Sequence, residues 1–224
     1  MKVVVKADIL GRNDAAAAEN AALFARRGIY ALNLLGSPGA GKTSLLEQTL
    51  AELGTDLRIA VIEGDLFTTK DAARIERCGA QVVQINTIGG CHLDAAMVAA
   101  ALEKIDLTAL DLIVIENVGN LVCPAEFALG EDAKAVVLSI TEGDDKPLKY
   151  PLIFKESAAA LLNKVDILPY TNFDMASACA DIRALHPGIA VLPVSCRTGE
   201  GLSAWYAWLR AQAAAKKAAQ EESR

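Results

Sequence analysis

The chain reads as a single α/β domain with a mainly parallel, seven-stranded sheet and helices on both faces. Three observations predict this. Apolar strand-like runs alternate with helical stretches along the length, the pattern that feeds a parallel sheet through crossover helices. Two of those runs, 112–116 (LIVIE) and 135–140 (AVVLSI), are nearly all apolar, as strands covered on both faces are. Third, Gly36 to Thr43 reads GSPGAGKT, a complete G-x-x-x-x-G-K-[ST] pattern between a strand-like run and an amphipathic helix.

In chain order, residues 14–27 (DAAAAENAALFARR) predict a leading helix closed by Gly28, within a helical extension of about residues 12–27. Strand-like runs follow at 29–35, 57–62, 81–85, 111–116, 134–140, 158–163 and 189–194. Ser44 to Leu53 (SLLEQTLAEL) is an amphipathic helix, and a further helix is expected over 66–77. The tail from Ala211 (AQAAAKKAAQEESR) reads as helix fraying into disorder. No repeat or linker divides residues 1–224. In such sheets ligands bind beyond the carboxyl ends of the strands, where the motifs below fall.

Each part of GSPGAGKT has a task. Gly36, Gly39 and Gly41 permit backbone angles that a Cβ obstructs. The loop through Ala40 to Ser44 can then turn its N–H groups around a phosphate chain at a helix N-terminus. Lys42 brings positive charge to the β/γ-phosphates, and the Thr43 hydroxyl can ligate Mg²⁺. This is a P-loop NTPase core.

Composition narrows the classes. The chain has 224 residues and a formal net charge of -6, with few aromatics, so it holds no general attraction for nucleic acid or anionic membrane. No apolar stretch is long enough to span a bilayer, and the N-terminus lacks signal-peptide order. A cytoplasmic location is expected, where five cysteines serve as thiols or metal ligands rather than disulfides.

Asn163-Lys164-Val165-Asp166 is an N-K-x-D motif. Asp166 can accept two hydrogen bonds from the N1–H and N2–H₂ edge of guanine, a donor pair adenine lacks. Lys164 can lay its stem along the base, and Asn163 can tie this loop to the phosphate loop. Ser195-Cys196-Arg197-Thr198-Gly199 resembles the S-A-K loop of GTPases, whose backbone N–H contacts guanine O6. The combination favours GTP and GDP over adenine nucleotides.

The run 111–116 ends in Glu116-Asn117-Val118-Gly119, where most small GTPases carry Asp-x-x-Gly. The acid holds Mg²⁺ directly or through water, and the Gly119 N–H senses the γ-phosphate. Glutamate here departs from the common pattern. Asp65, in Glu63-Gly64-Asp65, suits a second Mg²⁺-side carboxylate, a water-orienting residue, or a helix N-cap. Asn120 stands where Ras-like proteins place a glutamine, so slow intrinsic hydrolysis is expected.

Cys91 and His92 are adjacent, and Cys123 lies four residues past Gly119. Two thiolates and an imidazole suit Zn²⁺ or Ni²⁺. On local sequence alone the blander reading prevails, a buried or exposed thiol at each position and a histidine near a helix start that merely hydrogen-bonds. The position of Cys123 on the loop expected to follow the γ-phosphate points to a metal. Cys78, Cys179 and His186 read as structural.

Taken together, GSPGAGKT, EGD, GGCHLDA, ENVGNLVCP, TEGDDKPLKYP and NKVD resemble the hydrogenase nickel-incorporation GTPases, the HypB family of the SIMIBI class. The resemblance covers nearly the whole chain. It implies GTP hydrolysis with Mg²⁺, a homodimer favoured by GTP or metal, and Ni²⁺ delivery to the [NiFe]-hydrogenase large subunit with a small zinc-containing chaperone. It also implies a Ni²⁺ or Zn²⁺ site at Cys91, His92 and Cys123. The opening MKVVVKADILGRND shows neither the cysteine-rich motif nor the histidine-rich stretch of some members. Rival readings are a urease-type metal-delivery GTPase, whose Cys-Pro-His motif is absent, a P-loop small-molecule kinase, against which NKVD argues, and a non-enzymatic metal buffer.

Overall fold

The computed structural model describes residues 6–65 and 70–222. Seven strands form one all-parallel sheet: β1 (Tyr30–Gly36), β2 (Ile59–Asp65), β3 (Gln81–Asn86), β4 (Leu112–Glu116), β5 (Ala133–Ser139), β6 (Ser157–Asn163) and β7 (Ala190–Val194). Their order is β3-β2-β4-β1-β5-β6-β7. All seven expected strands are present, and the sheet is parallel throughout.

The helices are α1 (Lys6–Arg27), α2 (Lys42–Leu53), α3 (Lys70–Glu76), α4 (Ala95–Leu102), α5 (Cys123–Glu126), α6 (Lys146–Lys149), α7 (Pro151–Lys155), α8 (Met175–Leu185) and α9 (Leu202–Glu222). The first four residues of the helix expected over 66–77 lie outside the described residues. Strand alternation sends side chains to two cores. On one face Leu32, Leu34, Val61 and Val114 pack with Leu46 and Leu50 of α2 and Trp205 and Leu209 of α9. On the other, Ala31, Ile62 and Ile113 pack with Phe24 of α1 and Val98 of α4, while Val136 and Leu162 meet Phe154 of α7 and Ile182 of α8.

The expected fraying from Ala211 is not what the structure shows, since α9 continues to Glu222. The reason is a set of contacts along the rim where the strands begin. Lys216 Nζ reaches Asp132 at 2.5 Å, Lys217 Nζ reaches Asp111 at 3.4 Å, and the Gln220 amide donates to Arg26 O at 3.3 Å. Arg210 pairs with Asp56 at 2.8 Å and Arg58 with Asp111 at 3.3 Å on the same rim. Among the described residues no helix is long and apolar enough to cross a membrane.

Candidate nucleotide and metal sites

The carboxyl ends of β1, β2 and β4 open into a cavity of about 490 Å³. Gly39, Gly41, Lys42, Thr43, Ser44, Asp65, Glu116, Gly119 and Lys164 line it, so the structure brings most of the predicted phosphate and Mg²⁺ residues together. Gly41 precedes α2 at φ 106°, and a Cβ there would collide with the Asn163 amide. Lys42 Nζ donates to Gly36 O at 3.2 Å and Ser37 O at 3.4 Å. Burial lowers its pKa, with Glu116 the main opposing charge. The Thr43 hydroxyl donates to Glu116 Oε1 at 2.8 Å.

Glu63 and Arg74 are among the cavity residues not singled out from the sequence. Glu63, two residues before Asp65, is 3% exposed and lines the same cavity. Burial and the neighbouring Glu116 push its carboxyl up to about 8. Burial raises Glu116 to about 7 against the opposing pull of Lys42. Glu63 Oε2 and Glu116 Oε2 are buried without a hydrogen-bond partner among the described residues. Unsatisfied carboxylate oxygens in a polar cavity are costly, and a hard divalent cation with oxygen ligands relieves that cost. The donors Thr43, Glu63, Asp65 and Glu116 therefore fit Mg²⁺. Arg74 is the other addition. Its guanidinium holds Glu47 at 2.6 Å and Asp71 at 3.0 Å, and donates to Ser44 Oγ at 3.2 Å beside the phosphate loop.

A second cavity of about 370 Å³ adjoins, lined by Gly41, Ser44, Asn163, Lys164, Asp166, Ile167, Cys196 and Arg197. Asn163 Nδ2 donates to Ala40 O at 2.9 Å, the tie to the phosphate loop that the sequence suggests. Lys164, at φ 72°, sends Nζ to Gly39 O at 2.7 Å. The Ser195 hydroxyl donates to Asp166 Oδ1 at 2.6 Å, orienting that carboxylate. Two backbone N–H groups of the loop compared with the S-A-K motif bond within the protein. Cys196 N donates to Asn163 Oδ1 at 3.2 Å and Ser195 N to Glu200 O at 2.9 Å. These two residues thus brace the motif around Asp166.

Cys91, His92 and Cys123 converge, with ligand atoms all within 4.8 Å of one another. Cys91 Sγ lies 3.5 Å from His92 Nδ1. The Cys123 thiol next to it raises the Cys91 pKa, and burial lowers that of His92, favouring the neutral imidazole a metal needs. The His92 ring lies on Phe127, centroids 4.0 Å apart, a contact with no signal in the sequence. Cys91 and His92 precede α4 in a loop, where Asp94 caps the helix through Met97 N.

Asn120 links the Cys91, His92 and Cys123 cluster to the phosphate loop. Asn120 N donates to Gly36 O at 3.1 Å, while its Nδ2 donates to Cys91 O at 3.3 Å and its Oδ1 accepts from Val122 N at 2.8 Å. Asn117 Oδ1 accepts from Leu93 N at 3.1 Å. Gly119 packs on Pro38, where a Cβ would lie 2.8 Å from Pro38 N. Cys78, Cys179 and His186 stand apart. The Cys78 thiol meets Arg74 O at 3.6 Å, Cys179 packs beside the core of α8, and His186 Nδ1 bonds to Ser157 O at 2.9 Å.

A family profile described as "CobW/HypB/UreG, nucleotide-binding domain" matches residues 30–193. The "Hydrogenase maturation factor HypB" of Rhizobium leguminosarum bv. viciae is 53% identical over 212 residues, 95% of this chain and 71% of that protein. The chain belongs to the HypB family. The Escherichia coli K12 HypB is 50% identical over 93% of this chain and 72% of its own length. A crystal structure of HypB from Helicobacter pylori in complex with nickel superposes with a TM-score of 0.87 at 37% identity, covering 92% of this chain and 97% of that one.

Proposed function

We propose that this chain is a metallochaperone GTPase that couples GTP binding and hydrolysis to loading and release of Ni²⁺, or Zn²⁺ in its place, at Cys91, His92 and Cys123 during [NiFe]-hydrogenase maturation. Membership of the HypB family supports the pathway, and the nickel-bound Helicobacter pylori relative supports the cargo. The observation that carries the coupling is Asn120, whose backbone bonds to the phosphate loop at Gly36 and whose amide bonds to Cys91.

In this reading Asp166 accepts the guanine edge and Lys42 exchanges the Gly36 and Ser37 carbonyls for phosphate oxygens. Thr43, Glu116, Asp65 and Glu63 would hold Mg²⁺, which would supply positive charge against the phosphates of the bound nucleotide. Asp65 serves to orient the attacking water. A γ-phosphate reaching the Gly119 N–H displaces the segment 117–120, and Asn117 and Asn120 carry that displacement to Leu93 and Cys91. The protein acts in the cytoplasm as a GTP- or metal-favoured homodimer. It works with a small zinc-containing chaperone and delivers nickel directly or indirectly to the hydrogenase large subunit.

The test is a Ni²⁺ and Zn²⁺ titration with GDP and with a non-hydrolysable GTP analogue, on the natural chain and on Cys123→Ala. We expect at least tenfold different metal affinity between nucleotide states in the natural chain, and loss of that difference in the variant. Equal affinity in both states would sink the coupling.

A further inference from the structure

Asn13 and Asn20 of α1 are two turns apart on one helix face and almost wholly buried, at 7% and 4% exposure. Asn13 Oδ1 accepts from Ala95 N at 2.9 Å, and its Nδ2 donates to Ala128 O at 2.8 Å. Asn20 Nδ2 donates to Ala95 O at 2.9 Å and to Leu129 O at 3.0 Å. Both side chains therefore tie the same two backbone segments together. One runs from Cys91 and His92 into α4; the other runs from Cys123 through Phe127. The His92 and Phe127 rings, one from each segment, also meet, tilted with centroids 4.0 Å apart.

We infer that Asn13 and Asn20 are positioning residues for the metal cluster: from the leading helix, they fix the spacing of its two ligand-bearing segments. The inference rests on the reading of Cys91, His92 and Cys123 as a metal site. Soft metals hold ligands at set distances, about 2.0 to 2.3 Å for zinc, so ligands from segments remote in sequence need a cross-tie that keeps them within reach. Asn117 and Asn120 supply ties on the nucleotide side, and a switch that moves takes those ties with it. Among the described residues the side chains of Asn13 and Asn20 bond to Ala95, Ala128 and Leu129, and not to the phosphate loop or residues 117–120. They provide the stationary side against which the nucleotide side displaces the ligands.

A plain capping role also exists, because Ala95 N–H is a first-turn donor of α4 that requires a partner. Asn13→Asp separates the two roles. It keeps the acceptor for Ala95 N and removes the donor to Ala128 O, so the cap persists while the cross-tie breaks. The full chain would be titrated with Ni²⁺ against a competing chelator, following thiolate-to-nickel charge-transfer absorption, with GDP affinity measured in parallel. For Asn13→Asp and for Asn13→Leu/Asn20→Leu we expect Ni²⁺ affinity to fall at least tenfold and the charge-transfer band to shift or weaken. GDP affinity should stay within twofold. Unchanged affinity and band in Asn13→Asp overturn the inference, as does an equal loss of GDP binding, which marks general damage. If the double variant does not fold, Asn13→Asp decides alone. A natural chain that binds no Ni²⁺, or a Cys91→Ala variant that binds it undiminished, overturns the underlying metal-site reading instead.

Discussion

Glu63 and Glu116 stand directly opposite each other in the parallel register of β2 and β4, each with one buried carboxylate oxygen unpartnered among the described residues. Two carboxylates so placed repel when both ionise, so a proton or a cation must accompany them. The sheet thus builds an acidic pair at its carboxyl edge and sets Lys42 and Thr43 beside it.

The pair makes stability depend on pH. Glu63 carries a folded pKa of about 8 against an ordinary 4.5. Between those values the native state keeps a proton that the unfolded chain releases, so stability falls as pH rises through that window and is flat above it. Glu63→Gln removes this dependence, by an amount on the order of a few kcal/mol at the alkaline end. Thermal denaturation from pH 4.5 to 9 should show the variant's advantage growing with pH, and Mg²⁺ should lift the natural chain at high pH. A constant gap between the two proteins would exclude this role for the carboxyl.

Gly119→Ala places a methyl group 2.8 to 3.0 Å from Pro38. The two loops must part by several tenths of an ångström. We expect the variant to retain GDP binding within about tenfold and to lose the difference between GDP and GTP-analogue affinities, a shift on the order of 1–3 kcal/mol. Nucleotide titrations check this, and an unaltered preference contradicts it.

Asp166→Asn exchanges a charged double acceptor for an amide. Each charge-assisted hydrogen bond lost contributes about 1.5–3 kcal/mol, so guanine affinity should drop by roughly 10²-fold or more. Xanthine nucleotides, with a carbonyl at position 2, should gain. Competition with GTP, XTP and ATP measures the order, and retained GTP preference would remove Asp166 from the base site.

Metal binding must release the thiol protons of Cys91 and Cys123. Because the Cys91 pKa is raised, apparent Ni²⁺ or Zn²⁺ affinity should climb with pH through neutrality, at up to about two log units per pH unit. Cys123→Ala should lower affinity and reduce that slope by about one. Chelator competition at pH 6.5 to 8.5 gives both slopes, and identical slopes would show that Cys123 is not a ligand.

The five inner strands were legible because parallel strands buried on both faces are continuous apolar runs. The edge strands β3 and β7 are only partly buried and were legible from their shorter apolar stretches and their place in the strand–helix alternation. The P-loop, Asp166 and the Cys91, His92 and Cys123 set were legible from residue type and position. Their distances were not. Glu63 was overlooked in favour of Asp65 because its importance arises from the register of β2 on β4, which no local pattern specifies. No local pattern marks Asn13 and Asn20 for burial, which follows from the packing of α4 and the segment after Cys123 against α1. The helical course of 211–222 draws on Asp111 and Asp132, which lie 106 residues before Lys217 and 84 before Lys216. The engaged N–H of Cys196 follows from Asn163 accepting two hydrogen bonds at once.

The rim cross-linked by Lys216, Lys217, Arg210 and Arg58 lies at the opposite edge of the sheet from every residue assigned chemistry. Labels, surface tethers or a reporter fluorophore belong on that edge. A probe attached there can ride on a rigid frame and report turnover at the other edge without touching it.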